Sequence, residues 1–144
     1  MGVWYANILV FNNLIFLLFV NDPTLYTVVL QFPGTPKSAQ VFKTFRINLA
    51  ASLATDGINQ RMIQHLLKDY EQAVFVKTTS RSMLGSMNDL MYIFDFHIDR
   101  DIADCNQIDL HKIQCALNRI PQRKIDWQFS VEAMHGILQY LKVS

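Results

Sequence analysis

The apolar positions of this chain change their spacing along its length, and that spacing is the first guide to the elements they form. Residues 3–11 and 14–20 are dense in Val, Ile, Leu, Phe, Tyr and Trp, and Asn12-Asn13 divides them. Asparagine tolerates the positive φ of a two-residue turn, so the pattern predicts a β-hairpin. Asn21-Asp22-Pro23-Thr24 is a second turn signal. Leu25 to Phe32 then reads as a third strand, and the first 32 residues as an antiparallel meander. These strands scarcely alternate. That predicts a sheet covered on both faces, or covered on one face and paired with a second subunit on the other.

Pro33-Gly34-Thr35-Pro36 ends the meander. Beyond Ser38 the apolar spacing becomes helical, through Val41, Phe42, Phe45, Leu49 and Leu53, and Asp56-Gly57 closes that helix. A second helix is expected from about Ile58 to Asp69, on the stripe Met62, Ile63, Leu66 and Leu67. Ala73 to Lys77 reads as a short fourth strand. Thr79 or Ser80 would cap a helix over about 81–93, its hydroxyl accepting orphan amide protons of the first turn. The polar, acidic stretch 95–108 reads as a loop. Residues 109–119 look helical and stop before Pro121. Ser130 is expected to cap a last helix whose face carries Val131, Met134, Ile137, Leu138 and Leu141. The fold class is α+β: an antiparallel meander of three strands plus one later strand, packed with four to five helices. With no repeat and no linker, residues 1–144 read as one domain.

Composition sharpens this. Apolar residues make up 51% and charged residues 17%, against about 25% charged in ordinary soluble domains. Disorder is excluded, since it needs the opposite balance. A chain this apolar packs tightly or hides surface in an assembly, and a homodimer is the simplest one. The net charge of +1 gives no overall pull toward nucleic acid or membrane. Its distribution is uneven. Residues 37–68 hold five cations against Asp56; residues 89–109 hold Asp89, Asp95, Asp99, Asp101, Asp104 and Asp109 against Arg100. These read as two solvated faces, or as a basic face that meets an acidic partner or the acidic face of a second copy.

Cys105 and Cys115 lack a CxxC spacing, which fits a reduced, cytoplasmic protein. The apolar start lacks a basic leader and an A-x-A cleavage site, and Asn12-Asn13 interrupts it, so neither a signal peptide nor a membrane span is expected.

The densest run of chemistry is Thr78 to Asp89. Amides at a helix start attract anions, and Arg81 could clamp a phosphate or carboxylate. Asn7, Thr79, Arg81, Ser82, Asn88 and Asp89 are the candidate ligand-binding residues. Gly85 and Ser86 would let another backbone approach closely. The plain alternative is a capped helix with small residues for packing. His111 and Cys115 have metal-ligand spacing but form one pair only, so no metal and no cofactor are expected. G-x-S-x-G and GxxxxGK[ST] are absent. Nucleic-acid binding would rest on Arg119, Arg123 and Lys124, or on Lys43, Arg46 and Arg61, with no motif behind them.

Trp4-Tyr5-Ala6-Asn7, the run Leu17 to Tyr26, the run Arg81-Ser82-Met83-Leu84-Gly85-Ser86-Met87-Asn88-Asp89-Leu90 and Leu117-Asn118-Arg119-Ile120-Pro121 together resemble an uncharacterised bacterial family, a domain of unknown function. The resemblance covers nearly the whole chain and implies a coherent fold with no assigned activity. It also implies that a short additional segment usually precedes the Trp-x-Ala-Asn element and is lacking here, which bears on the edge of the sheet. The expected role is a non-enzymatic protein-interaction or regulatory module, acting through a protein partner or self-association. The alternative is a small-molecule or anion pocket, binding or enzymatic, at the strand-to-helix junction around Arg81.

Overall fold

A computed structural model describes residues 3–11, 13–68, 70, 81–105 and 107–143. The expected hairpin is present: β1 (Trp4–Phe11) pairs antiparallel with β2 (Leu14–Asn21), closing with Phe11 opposite Leu14 and Asn13 at φ 67°. Strand β3 (Thr27–Phe32) completes a sheet of order β1-β2-β3. It starts two residues later than expected. Leu25 takes φ 57° and belongs to the turn, which is fastened where the Thr24 hydroxyl donates to Asn21 Oδ1 at 2.7 Å.

Helices follow: α1 (Ser38–Thr55), α2 (Gln60–Lys68), α3 (Arg81–Cys105), α4 (Leu110–Leu117) and α5 (Ser130–Val143). Two-residue strands β4 (Pro121–Gln122) and β5 (Gln128–Phe129) form a small hairpin between α4 and α5. The class is α+β. Both faces of β2 and β3 are covered, which is why β2 shows so little alternation, whereas on β1 Ile8 and Val10 stay 60% and 64% exposed. Leu17 and Phe19 point into a core with Phe45, Leu49, Leu53, Ile63, Leu66 and Met134, supplied by α1, α2 and α5. Phe16, Leu18 and Val20 point into a second core with Met83, Met87, Leu90, Phe94, Ile98, Ile113 and Leu117, supplied by α3 and α4.

Several expectations change. The stretch 95–108 is helical as far as Cys105, because Phe94 and Ile98 continue the buried stripe of Met83, Met87 and Leu90 at helical spacing. Its aspartates ride on the same helix. Ser130 does not cap α5; its hydroxyl is buried and finds no partner among the described residues, and the Glu132 carboxylate accepts from Phe129 N–H instead. The closing role of Asp56-Gly57 holds, with Gly57 at φ 88°, the left-handed turn that ends many helices. The fourth strand expected at Ala73 to Lys77 lies outside the described residues.

Candidate functional site

Two polar regions stand out, one closed and one open. The closed region centres on Asp56, whose side chain is 3% exposed. A directed chain of hydrogen bonds ends on it. Gln114 Nε2 donates to Ser52 Oγ at 2.7 Å, Ser52 donates to Tyr26 Oη, and Tyr26 Oη donates to Asp56 Oδ2 at 2.6 Å. Arg119 Nη2 donates to the other carboxylate oxygen at 2.8 Å, and His135 Nε2 meets the Asp56 backbone carbonyl at 2.7 Å. Burial and the adjoining Asp56 carboxylate push the Tyr26 phenol far above its ordinary range, so it stays a neutral donor.

Helix α4 extends the same region along the outer edge of β3. Gln114 Oε1 accepts from Val29 N–H at 2.9 Å; Asn118 accepts from Thr27 N–H at 2.7 Å and donates to Thr27 C=O at 2.9 Å. Four helical residues advance about 6 Å and two strand residues about 6.6 Å, so side chains at i and i+4 of a helix match alternate residues of a strand. Two amides thereby stand in for a neighbouring strand and close the sheet edge. Tyr26, Ser52, Asp56, Gln114 and Asn118 were not among the sequence candidates. The available signal was two amides four apart beside Ile113 and Leu117 on an otherwise apolar helix face.

The open region is the side of α3 turned away from the sheet. Arg81, Ser82, Asn88 and Asp89 are all exposed there. Asn7 lies on β1, opposite Leu18, and accepts from its neighbour's Ile8 N–H at 2.9 Å. No hydrogen bond joins Asn7 to those four among the described residues, and Thr79 lies outside them. Tyr92 and Phe96 continue the outer side at 78% and 59% exposure. Beside it, a cleft of about 450 Å³ runs between α3 and the β4–β5 hairpin. Ser86, Asp89 and Tyr92 form one wall; Arg123, Lys124 and Trp127 form the other. Asp126 and Trp127 hold φ of 56° and 64°, a left-handed backbone that costs about 1–3 kcal/mol per non-glycine residue. The bond from Trp127 N–H to Gln122 C=O at 2.8 Å maintains it, and Trp127 is left 65% exposed. Lys124 is partly engaged, with Asp22 at 3.3 Å and Met83 Sδ at 2.9 Å.

His111 Nε2 and Cys115 Sγ lie 3.6 Å apart on α4. Burial and the nearby Asp56 push the Cys115 thiol up, so the thiol form is favoured over the thiolate a metal or a nucleophilic reaction requires. Among the described residues no three metal-ligating side chains come together, and no helix is long and apolar enough to cross a membrane.

Fold and site define an α+β protein with a three-stranded antiparallel sheet between two helical layers and an exposed aromatic helix face. The chain belongs to the family described as Domain of unknown function (DUF6933), whose match spans residues 1–133. No curated protein matches it.

Proposed function

We propose that the chain, acting as one domain, is a non-enzymatic protein-interaction module whose contact face is the outer side of α3 with Trp127 beside it. The observation that carries this is the pair Tyr92 and Phe96, large rings in line on one helix and mostly in water. Aromatic side chains supply large contact area at low entropic cost and dominate interface energetics. Arg81, Asn88 and Asp89 flank the rings as an exposed polar rim.

A photo-crosslinking residue at position 92 tests this, compared with the same residue at Gln64, exposed on α2. Irradiation in the producing cells is expected to give a discrete protein adduct from position 92 and none from position 64. Absence of an adduct at 92, or equal labelling at both, overturns the reading.

A further inference from the structure

We propose that the partner on this face is a second copy of the chain, packed with its α3 antiparallel to the first about a twofold axis level with Leu90. This rests on α3 being a contact face and narrows it to one occupant.

Spacing comes first. Arg81, Gly85, Asn88, Tyr92, Phe96 and Asp99 are all exposed on α3. Five steps separate Arg81 from Asp99 over 18 residues, the helical period of about 3.6. They form a single outward line.

Charge gives the direction. A helix favours anions at its N-terminal end and cations at its C-terminal end. Helix α3 does the reverse on this line: Arg81 is its first residue, its first turn holds no acid and its last turn no base, and Asp99 stands toward the C-terminal end. Arg81 at the N-terminal end is unfavourable within one protomer. An antiparallel second copy reverses it, setting Arg81 against the partner's Asp99 at both ends of the contact.

Shape gives the register. A glycine inside a helix costs about 1 kcal/mol relative to alanine, and a Cβ built at Gly85 meets nothing within 4 Å. Among the described residues, packing within the protomer gives no reason for it. With the axis level with Leu90, Asn88 falls opposite the partner's Tyr92, and Gly85 falls within one residue of the level of the partner's Phe96. The hollow at Gly85 receives a ring, twice, as an isologous interface requires.

Sedimentation velocity on the full chain, from about 1 to about 100 µM, tests the proposal. The wild type is expected to become a dimer, twice 16.7 kDa. Arg81→Asp and Asp99→Arg are each expected to weaken the dimer roughly tenfold, and the double variant to recover it. Arg81→Asp brings the first turn of α3 into line with its own dipole, so a loss of dimer in that variant cannot be ascribed to a weakened protomer. Tyr92→Glu is expected to give a folded monomer by circular dichroism. A wild type monomeric at about 100 µM, a dimer indifferent to Tyr92→Glu, or a charge exchange without recovery overturns the proposal. Cross-linking at position 92 separates the two levels. An adduct to a different protein with a monomeric wild type removes the second copy and keeps the contact face; no adduct and a monomer removes both.

Discussion

Around Asp56 every charge and amide named is spent inside the protomer, whereas along the outer side of α3 the polar and aromatic groups face water. Ser52 and Gln114 are buried, Asn118 is 1% exposed, and each is hydrogen-bonded. Arg81, Asn88, Asp89 and Tyr92 are exposed. A saturated buried network makes a structure unique and costs a great deal to break, because each orphaned group forfeits its desolvation. An exposed set contributes little to stability, which leaves it open to binding. The contrast teaches that polar residues play two parts in this fold: the best-connected ones hold the layers together, and those on the outer side of α3 are left in water, where the proposed contact would use them.

The contrast fails most visibly if a member of the closed region proves dispensable. Asn118→Ala orphans both Thr27 N–H and Thr27 C=O at a buried edge, and is expected to lower stability by about 2–4 kcal/mol, read by urea denaturation. Asp56→Ala removes the acceptor of Tyr26 and Arg119. Losing one partner of a buried ion pair costs about 3–5 kcal/mol, but Arg119 is 43% exposed and regains water, so about 2–3 kcal/mol is expected. A loss under about 0.5 kcal/mol for either would show that surrounding water satisfies those groups.

How far each region was legible follows from distance along the chain. The hairpin at Asn12-Asn13 and the helix end at Asp56-Gly57 were readable because turn chemistry is local. The Asp56 region was not, because its bonds span 26 to 91 residues, and the two amides four apart at Gln114 and Asn118 mark a polar pair on a helix face without telling which strand edge it meets. The outer face of α3 was half legible. Arg81, Asn88 and Asp89 were picked out, but reading 95–108 as a loop hid the line through Phe96 and Asp99. The dense aspartates of that stretch masked Phe94, Ile98 and Ile102, whose spacing carries the helix onward. The β4–β5 hairpin was invisible, since two-residue strands leave no periodicity.

A finer probe of the closed region is its pH dependence. The Tyr26 phenol is raised by burial first and by its bond to Asp56 second. The unfolded chain releases this proton near pH 10, while the folded chain keeps it. The bond's contribution is therefore complete below about pH 10 and declines as pH rises above it. Tyr26→Phe is expected to cost about 1 kcal/mol near neutral pH and to flatten the decline between about pH 10 and about pH 11. Equal alkaline slopes in variant and wild type would place the phenol outside the linkage.

The smallest effect tests the open region. Gly85→Ala puts a methyl where nothing lies within 4 Å in the protomer and replaces a costly helix residue with the most favourable one. At concentrations where the chain is monomeric, thermal denaturation is expected to show a gain of about 0.5–1 kcal/mol. Where copies associate, the same methyl occupies the hollow proposed for a ring, and sedimentation is expected to show weaker association. Opposite signs in the two measurements are the signature of a glycine kept for a neighbour. A gain in stability with association unchanged would confine Gly85 to solvent, and would leave Tyr92 and Phe96 to make any contact without it.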